Sequence, residues 1–290
     1  LQMGNHLPSR DLYFLPGLTW SKITSFKLSV RFDDYGFIFS SVGLKGFPST
    51  EDVYIALGYM NSNLVVNITE VLSPTVSIVS GEIEKLPYRT LSAETGNRVN
   101  KIIKQLVEYS KTDWDSSETS WGFSKNPLLK NEYRQNLISE TFHTISQHWI
   151  DLAQEVQCLE EENNRIFIEA YDLQNELTPT VPLEEITLTC NPYYRYGSKK
   201  EDAELETLLK ADTIREFISY SVGCMFGRFS LDKPGLILSN KGQTLQDYLR
   251  QVPEPSFIPD EDNAIPILDG DWFSDDITER FKKFLRITFG

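Results

Sequence analysis

Cysteine is scarce in these 290 residues. The three present, Cys158, Cys190 and Cys224, are odd in number, far apart and without C-x-x-C spacing, which excludes a disulfide scaffold and the usual zinc or thiol-redox motifs. No run of about 18 apolar residues occurs, so no membrane-spanning helix is expected. Leu1 to Arg10 lacks the charged and apolar succession of a secretory signal, and a cytoplasmic setting is the expectation. Positive charge is also in deficit: 28 Lys and Arg stand against 42 Asp and Glu, a net charge of -14. A polyanion is a poor first guess as partner for such a chain, because binding one requires cations along the phosphates.

The deficit is uneven. Up to residue 135 there are 14 basic and 14 acidic side chains, so the whole of the -14 resides in residues 136–290. Any nucleic-acid contact therefore belongs to the first half. A 40% hydrophobic content and this length fit one large or two modest globular domains. The last residues, FKKFLRITF (281–289), keep an apolar and basic pattern without polar fraying, and both ends read as cuts through a longer chain.

Periodicity divides the chain in three. In the first part, KLSVRF and GFIFSSVG are β-prone runs separated by Asp33, Asp34 and Gly36, the pattern of a hairpin with an acidic turn. STEDVYIALGYMNSNLVVNITEVLS then spaces its apolar residues at three and four, giving two helices. Ser49 or Thr50 caps the first and Asn61 or Ser62 the second, which Pro74 ends. TVSIVSGEIEKLP alternates through Val76 and Ile78 into a turn at Gly81 and a short helical or extended exit before Pro87.

From residue 95 to 111, Val99, Ile102, Ile103, Leu106 and Val107 share a helical face. Residues 131–171 carry near-heptad apolar spacing from Leu137 to Phe167, a long helix packed along a seam. The acidic triplet Glu160 to Glu162 on it reads as a solvated face. Beyond Pro179 the chain is punctuated by Pro and Gly, with helices expected over 202–226 and 275–285. The expected fold is α+β: a small mixed α/β domain (1–92), a helical spacer (93–178) and a mostly helical, loop-rich C-terminal domain (179–290).

Several motifs invite chemistry. Asn191-Pro192-Tyr193-Tyr194 is close to the Asn-Pro-Pro-Tyr or Asp-Pro-Pro-Tyr turn with which amino-methyltransferases hold a flipped base. Tyr193 occupies its third position, and no glycine loop of strand-loop-helix context precedes it, SVGLKGF (41–47) included. A structural aromatic turn is the expectation. GEIEKL (81–86) lacks the E-x-K spacing of a metal-dependent nuclease, and His143 and His148 are five apart, off the spacing that would pair two imidazoles on a helix. No metal is expected. Lys22, Lys27 and Arg31 fall among Ser21, Thr24, Ser25 and Ser29 without an intervening acid, a mixture able to touch phosphates and base edges. Arg98, Lys101 and Lys104 run along one side of their helix.

IALGYMNSNLVVNITEVLSPTVSIVSGEIEKLP (55–87) resembles the end of target-recognition domains in type I restriction specificity subunits and fused restriction-modification enzymes, through Asn61-Ser62, Pro74-Thr75, Gly81 and Leu86-Pro87. LPGLTWSKITSFKLSVRF and FIFSSVG resemble the start of that domain in adenine-specific DNA methyltransferases of bacterial phage-exclusion (BREX) systems, with Phe26 where a Gly is expected. NRIFIEAYDLQNELTPTVPLEEITL, EFISYSVGCMFGRFSLDKPGL and PDEDNAIPILDGDWFSDDITERFKKFL are similar to the region that follows it. The resemblance implies a target-recognition part whose catalytic domain, with its S-adenosylmethionine pocket, lies before Leu1. It further implies double-stranded DNA and other defence subunits as partners, and groove contacts from Lys22, Ser25, Lys27, Arg31 and Lys45. On the same resemblance the chain itself holds no cofactor and catalyses nothing alone. Two alternatives stay open: an interaction protein governed by the acidic half, and an enzyme that methylates or cuts DNA itself.

Overall fold

The computed structural model describes residues 9–24, 27–49, 52–73, 77–270 and 272–290. Among these the fold is α+β: one three-stranded sheet and a succession of helices. No helix of the described residues is long and apolar enough to cross a membrane. The chain divides into two compact units, one comprising residues up to Tyr109 together with Glu155–Pro182, the other Ser110–Gln154 with Leu183–Gly290.

In the first unit β1 (Gly17–Ser21) lies at the centre of the sheet, antiparallel to β2 (Val30–Asp33) on one edge and β3 (Gly43–Gly46) on the other. The expected hairpin between KLSVRF and GFIFSSVG is not formed: β2 and β3 each pair with β1 and not with each other, and of GFIFSSVG only Gly43 lies in a strand. The reason is local. Phe37, Ile38 and Phe39 are consecutive apolar residues without alternation, and the Ser40 hydroxyl accepts from the amides of Val42 (3.2 Å) and Gly43 (3.0 Å), closing a turn that delays the strand until Gly43.

Alternation sets the sheet's two faces. Leu18, Trp20 and Val30 point inward, where α1 (Val53–Met60), α2 (Asn63–Leu72), α4 (Ala93–Trp114) and the end of α5 (Ile138–Ala170) supply Leu57, Leu64, Val99, Ile103 and Phe167 to one buried cluster. Ser62 caps α2 from its side chain, as the sequence suggests, and α1 starts after Asp52. Thr50 and Pro74 lie outside the described residues. The strand expected through Val76 and Ile78 is an isolated bridge, Ser77 to Ile23, with the Ile78 amide donating to the Lys22 carbonyl at 2.7 Å; Val76 is not among the described residues. A short helix, α3 (Ser80–Ile83), follows.

In the second unit α7 (Asp202–Met225) places Phe217, Tyr220 and Met225 among Phe142, Ile145, Phe229, Phe257 and Phe284, the last from α9 (Ile277–Phe289). Two shorter helices, α6 (Pro192–Tyr196) and α8 (Leu245–Gln251), flank α7 in sequence. The acidic triplet on α5 departs from the solvated face expected of it. Glu161 accepts from the Val181 amide at 3.1 Å, and Glu162 pairs with Arg98 and Arg165, so these carboxylates tie neighbouring segments to the helix.

Candidate nucleic-acid interface

The outward face of the sheet carries Thr19 and Ser21 from β1, Arg31 and Asp33 from β2 and Lys45 from β3. Arg31 and Lys45 both stand opposite Thr19 in the register. The sheet thus brings two of the five proposed contact residues onto one face. They do not share one fate. Arg31 is exposed, and its guanidinium reaches the Ser21 hydroxyl at 3.4 Å. The Lys45 side chain is 1% exposed and its ammonium lies 2.6 Å from the Asp33 carboxylate. A cation held this way offers no free charge to a phosphate, and its role in this geometry is to neutralise Asp33 beneath the face.

Lys22 follows β1 directly, with its amide donating to the Val42 carbonyl at 2.8 Å, so its backbone is fixed by the segment leading into β3. Lys27 is half-buried in the loop before β2, where the Thr24 hydroxyl donates to its carbonyl at 3.1 Å. Ser25, like Phe26, lies outside the described residues. The second cationic row, on α4, is spent within the fold in two of its three members. Arg98 pairs with Glu162, and the Lys104 ammonium sits 5.2 Å from the centre of the Tyr54 ring, whereas Lys101 is exposed.

Composition gave no sign of the apolar side chains that border this face. Phe14, Tyr35, Ile38 and Val42 are all exposed. Backbone hydrogen bonds join the two segments that carry them: the Phe14 amide donates to the Phe37 carbonyl and the Gly36 amide to the Phe14 carbonyl, both at 3.1 Å. The three adjacent apolar residues after Gly36 were the available signal, because a run without alternation cannot bury every side chain on one face.

The Asn191 turn has a structural office. The side chain is wholly buried; its amide nitrogen donates to the carbonyls of Leu183 (2.7 Å) and Ile186 (2.9 Å), and its oxygen accepts from the Tyr193 amide at 3.1 Å, capping α6. Both amide hydrogens are thus donated to carbonyls of the chain itself, as a structural cap requires. Asp113 braces the preceding residues by accepting from the Thr189 amide (2.6 Å), the Thr189 hydroxyl (2.9 Å) and the Cys190 amide (3.0 Å). A cavity of about 470 Å³ adjoins the turn, lined by His143, Ile150, Cys190, Tyr193, Leu205 and Leu209 among others. The glycines of SVGLKGF do not form a strand-loop-helix cradle of the kind that would fit S-adenosylmethionine, because Gly43 and Gly46 are the two ends of β3. Glu82, the candidate nuclease acid, accepts from the Val79 amide at 2.5 Å. No group of three or more His, Cys, Asp or Glu able to hold a metal occurs among the described residues.

No family model matches the chain. It is 32% identical over 289 residues to the adenine-specific methyltransferase BrxX of Escherichia coli O9:H4 (strain HS), covering 98% of this chain and 23% of that protein. It is 34% identical over 283 residues to the adenine-specific methyltransferase PglX of Lacticaseibacillus casei (strain Zhang), covering 96% of this chain and 21% of that protein. The chain therefore spans less than a quarter of the length of the curated relatives it matches, and over nearly its whole extent it is similar to one segment of proteins named adenine-specific methyltransferases.

Proposed function

We propose that this chain is the DNA-recognition part of an adenine-specific methyltransferase of a bacterial phage-exclusion system, without catalytic activity on its own. The observation that carries this reading is the similarity to a protein named as an adenine-specific methyltransferase along 98% of the chain, at less than a quarter of that protein's length. The inward-turned Asn191 amide supports the absence of a methyl-transfer site here. In this reading residues 1–92 meet the duplex, 93–178 act as a spacer, and 179–290 dock other subunits of the defence system in the cytoplasm. S-adenosylmethionine is bound by the rest of the parent enzyme.

Arg31, Lys22 and Lys27 supply the phosphate and groove contacts, with Thr19 and Ser21 as hydroxyl neighbours and Ser25 completing the set; Lys45 contributes by pairing with the Asp33 carboxylate. Three phosphate contacts correspond to a slope of about -3 in log affinity against log salt concentration. Mobility-shift titrations of duplex DNA at several salt concentrations test this. Replacing Lys22, Lys27 and Arg31 together by alanine lowers affinity and flattens the slope; an unchanged slope means the cations lie elsewhere.

A second reading, in which the chain chiefly assembles with protein partners, is favoured by one feature of the acidic half. Ile267, Leu268, Trp272 and Phe273 are exposed in a stretch that also carries Glu261, Asp262, Asp269 and Asp275. Such a surface repels phosphates and suits a cationic protein. A chain that fails to shift DNA yet binds a purified subunit of its own defence system, in a manner abolished by Trp272→Ser, favours this reading over the first.

A further inference from the structure

We propose that the cleft between the first half of α5 and the first turns of α7 seats an amphipathic helix of another protein, apolar on one face and edged with lysine or arginine. This rests on the reading above that the acidic half docks protein partners, and it gives that docking a place and a chemistry. It does not depend on DNA binding.

The shape of the cleft follows from helical period. His143, Gln147, Ile150 and Gln154 recur on α5 at intervals of three and four, and Asp202, Glu206 and Leu209 do the same on α7. Each helix therefore turns one continuous stripe towards the same cavity of about 470 Å³. All of these residues belong to the second compact unit. At a rise of about 1.5 Å per residue the stripes run for about 16 and about 10 Å, or about three and two turns of helix. Ala153, Cys190 and Leu205 form a buried apolar floor, and Ile150 stands at its side 42% exposed. Ser146 and Ala203, both small, leave room for a backbone to approach. Two helices flanking an apolar trough are a seat for the apolar stripe of a third.

The border of the cleft carries one sign of charge. Asp202 and Glu206 lie one turn apart on α7, and Asp151, which accepts from the Gln147 amide at 3.0 Å, stands beside the α5 stripe. The Tyr193 hydroxyl donates to Asp202 at 2.8 Å, a neutral partner that leaves the carboxylate's charge uncancelled. Neither Asp202 nor Glu206 forms an ion pair among the described residues, and no lysine or arginine lines the cleft. Of the lysines nearest in sequence, Lys210 holds its ammonium 5.9 Å from the centre of the Phe142 ring, and Lys199 and Lys200 belong to the segment before α7. Carboxylates around an apolar floor repel phosphates and complement a cationic peptide.

A second copy of this chain is a poor occupant. Helices α4 and α9 carry the basic residues that would suit the cleft, but their apolar faces are already buried, with Val99 and Phe284 at 0% exposure. Neither could enter without leaving its own core.

The test uses the 290-residue chain and a fluorescein-labelled synthetic helix with leucine along one face and lysine along its edges, followed by anisotropy. One control peptide has glutamate for lysine, and another has the same composition in scrambled order. The cationic amphipathic peptide is expected to bind on the order of tenfold more tightly than either control. Ile150→Lys should weaken it on the order of tenfold, and Glu206→Lys should reverse the preference, making the glutamate peptide the tighter ligand. Circular dichroism checks the fold of both variants. Glu206 is exposed, so its variant decides the matter should Ile150→Lys fail to fold. Equal binding of the three peptides, binding unchanged in the folded variants, or no binding of the cationic peptide overturns the proposal. If purified defence subunits bind the chain regardless of both substitutions, the docking reading stands and the cleft is not its seat. If the peptides discriminate as expected and no subunit binds, the cleft stands as a peptide site and the docking of those subunits falls.

Discussion

Asn191 places every polar atom of its side chain inside the protein, and substitution distinguishes a capping amide from a catalytic one. In the methylating turn Asp serves as well as Asn; in a cap that also donates two hydrogen bonds it does not. Asn191→Asp would set a carboxylate against the Leu183 and Ile186 carbonyls in a site with no exposure. It is expected to destabilise by about 3 kcal/mol or more, and Asn191→Ala by about 2–3 kcal/mol. Urea unfolding checks both; an Asn191→Asp chain as stable as the parent contradicts the capping role. Lys45 and Arg31 divide in the same way. Lys45→Ala orphans the Asp33 carboxylate and should cost about 2–3 kcal/mol, whereas Arg31→Ala, on an exposed side chain, should change stability by less than about 0.5 kcal/mol and reduce DNA binding. The sequence names all of these residues as candidates but does not separate them. Which lysine faces an aspartate depends on the register of β3 against β1, and register is a tertiary fact.

At the scale of elements, helices were legible where apolar residues recur at helical spacing along a buried stripe. Val99, Ile102 and Ile103 on α4 and Phe142, Ile145, Val156 and Phe167 on α5 are visible as period and are buried, although Leu137, where that spacing was expected to begin, is exposed and precedes the helix. Helices α6 and α8 escape that reading because five and seven residues are too few to display a period. The sheet escapes it for another reason: β1 has two edges, and alternation marks a strand without naming its neighbour. Close approach of helices is equally hidden. In α1, Gly58 donates no side chain, and a β-carbon there would come within 2.7 Å of the Asn163 oxygen and 2.9 Å of Ile103. The Asn163 amide also donates to the Gly58 carbonyl at 2.9 Å, fixing its position. Alanine is worth about 1 kcal/mol over glycine inside a helix, yet the overlap with two buried side chains outweighs it. Gly58→Ala is expected to lower stability by about 1–2 kcal/mol in urea unfolding, the reverse of what helix propensity alone gives.

For the whole molecule, a net charge of -14 makes the average field hostile to further anions, so mild acidification from about pH 8 to about pH 5 should relieve repulsion and raise stability. Below that range local structure acts in the opposite direction at Asp212. The Tyr196 hydroxyl donates to its carboxylate at 2.7 Å, and Arg215 and Arg195 approach to 2.5 and 3.2 Å, which together hold its pKa below the ordinary 3.8 despite partial burial. Because the folded pKa lies under the unfolded one, ionised Asp212 stabilises the fold above about pH 4, and that contribution vanishes as pH falls through the folded value. The stability of Asp212→Asn, measured by urea unfolding, should therefore trail the parent by a constant amount from about pH 8 to about pH 5. Below about pH 4 the gap should close, since protonation then does to the parent what the substitution has already done. A gap that stays constant down to about pH 3 would mean that the Tyr196, Arg195 and Arg215 cluster contributes nothing that depends on the charge of Asp212.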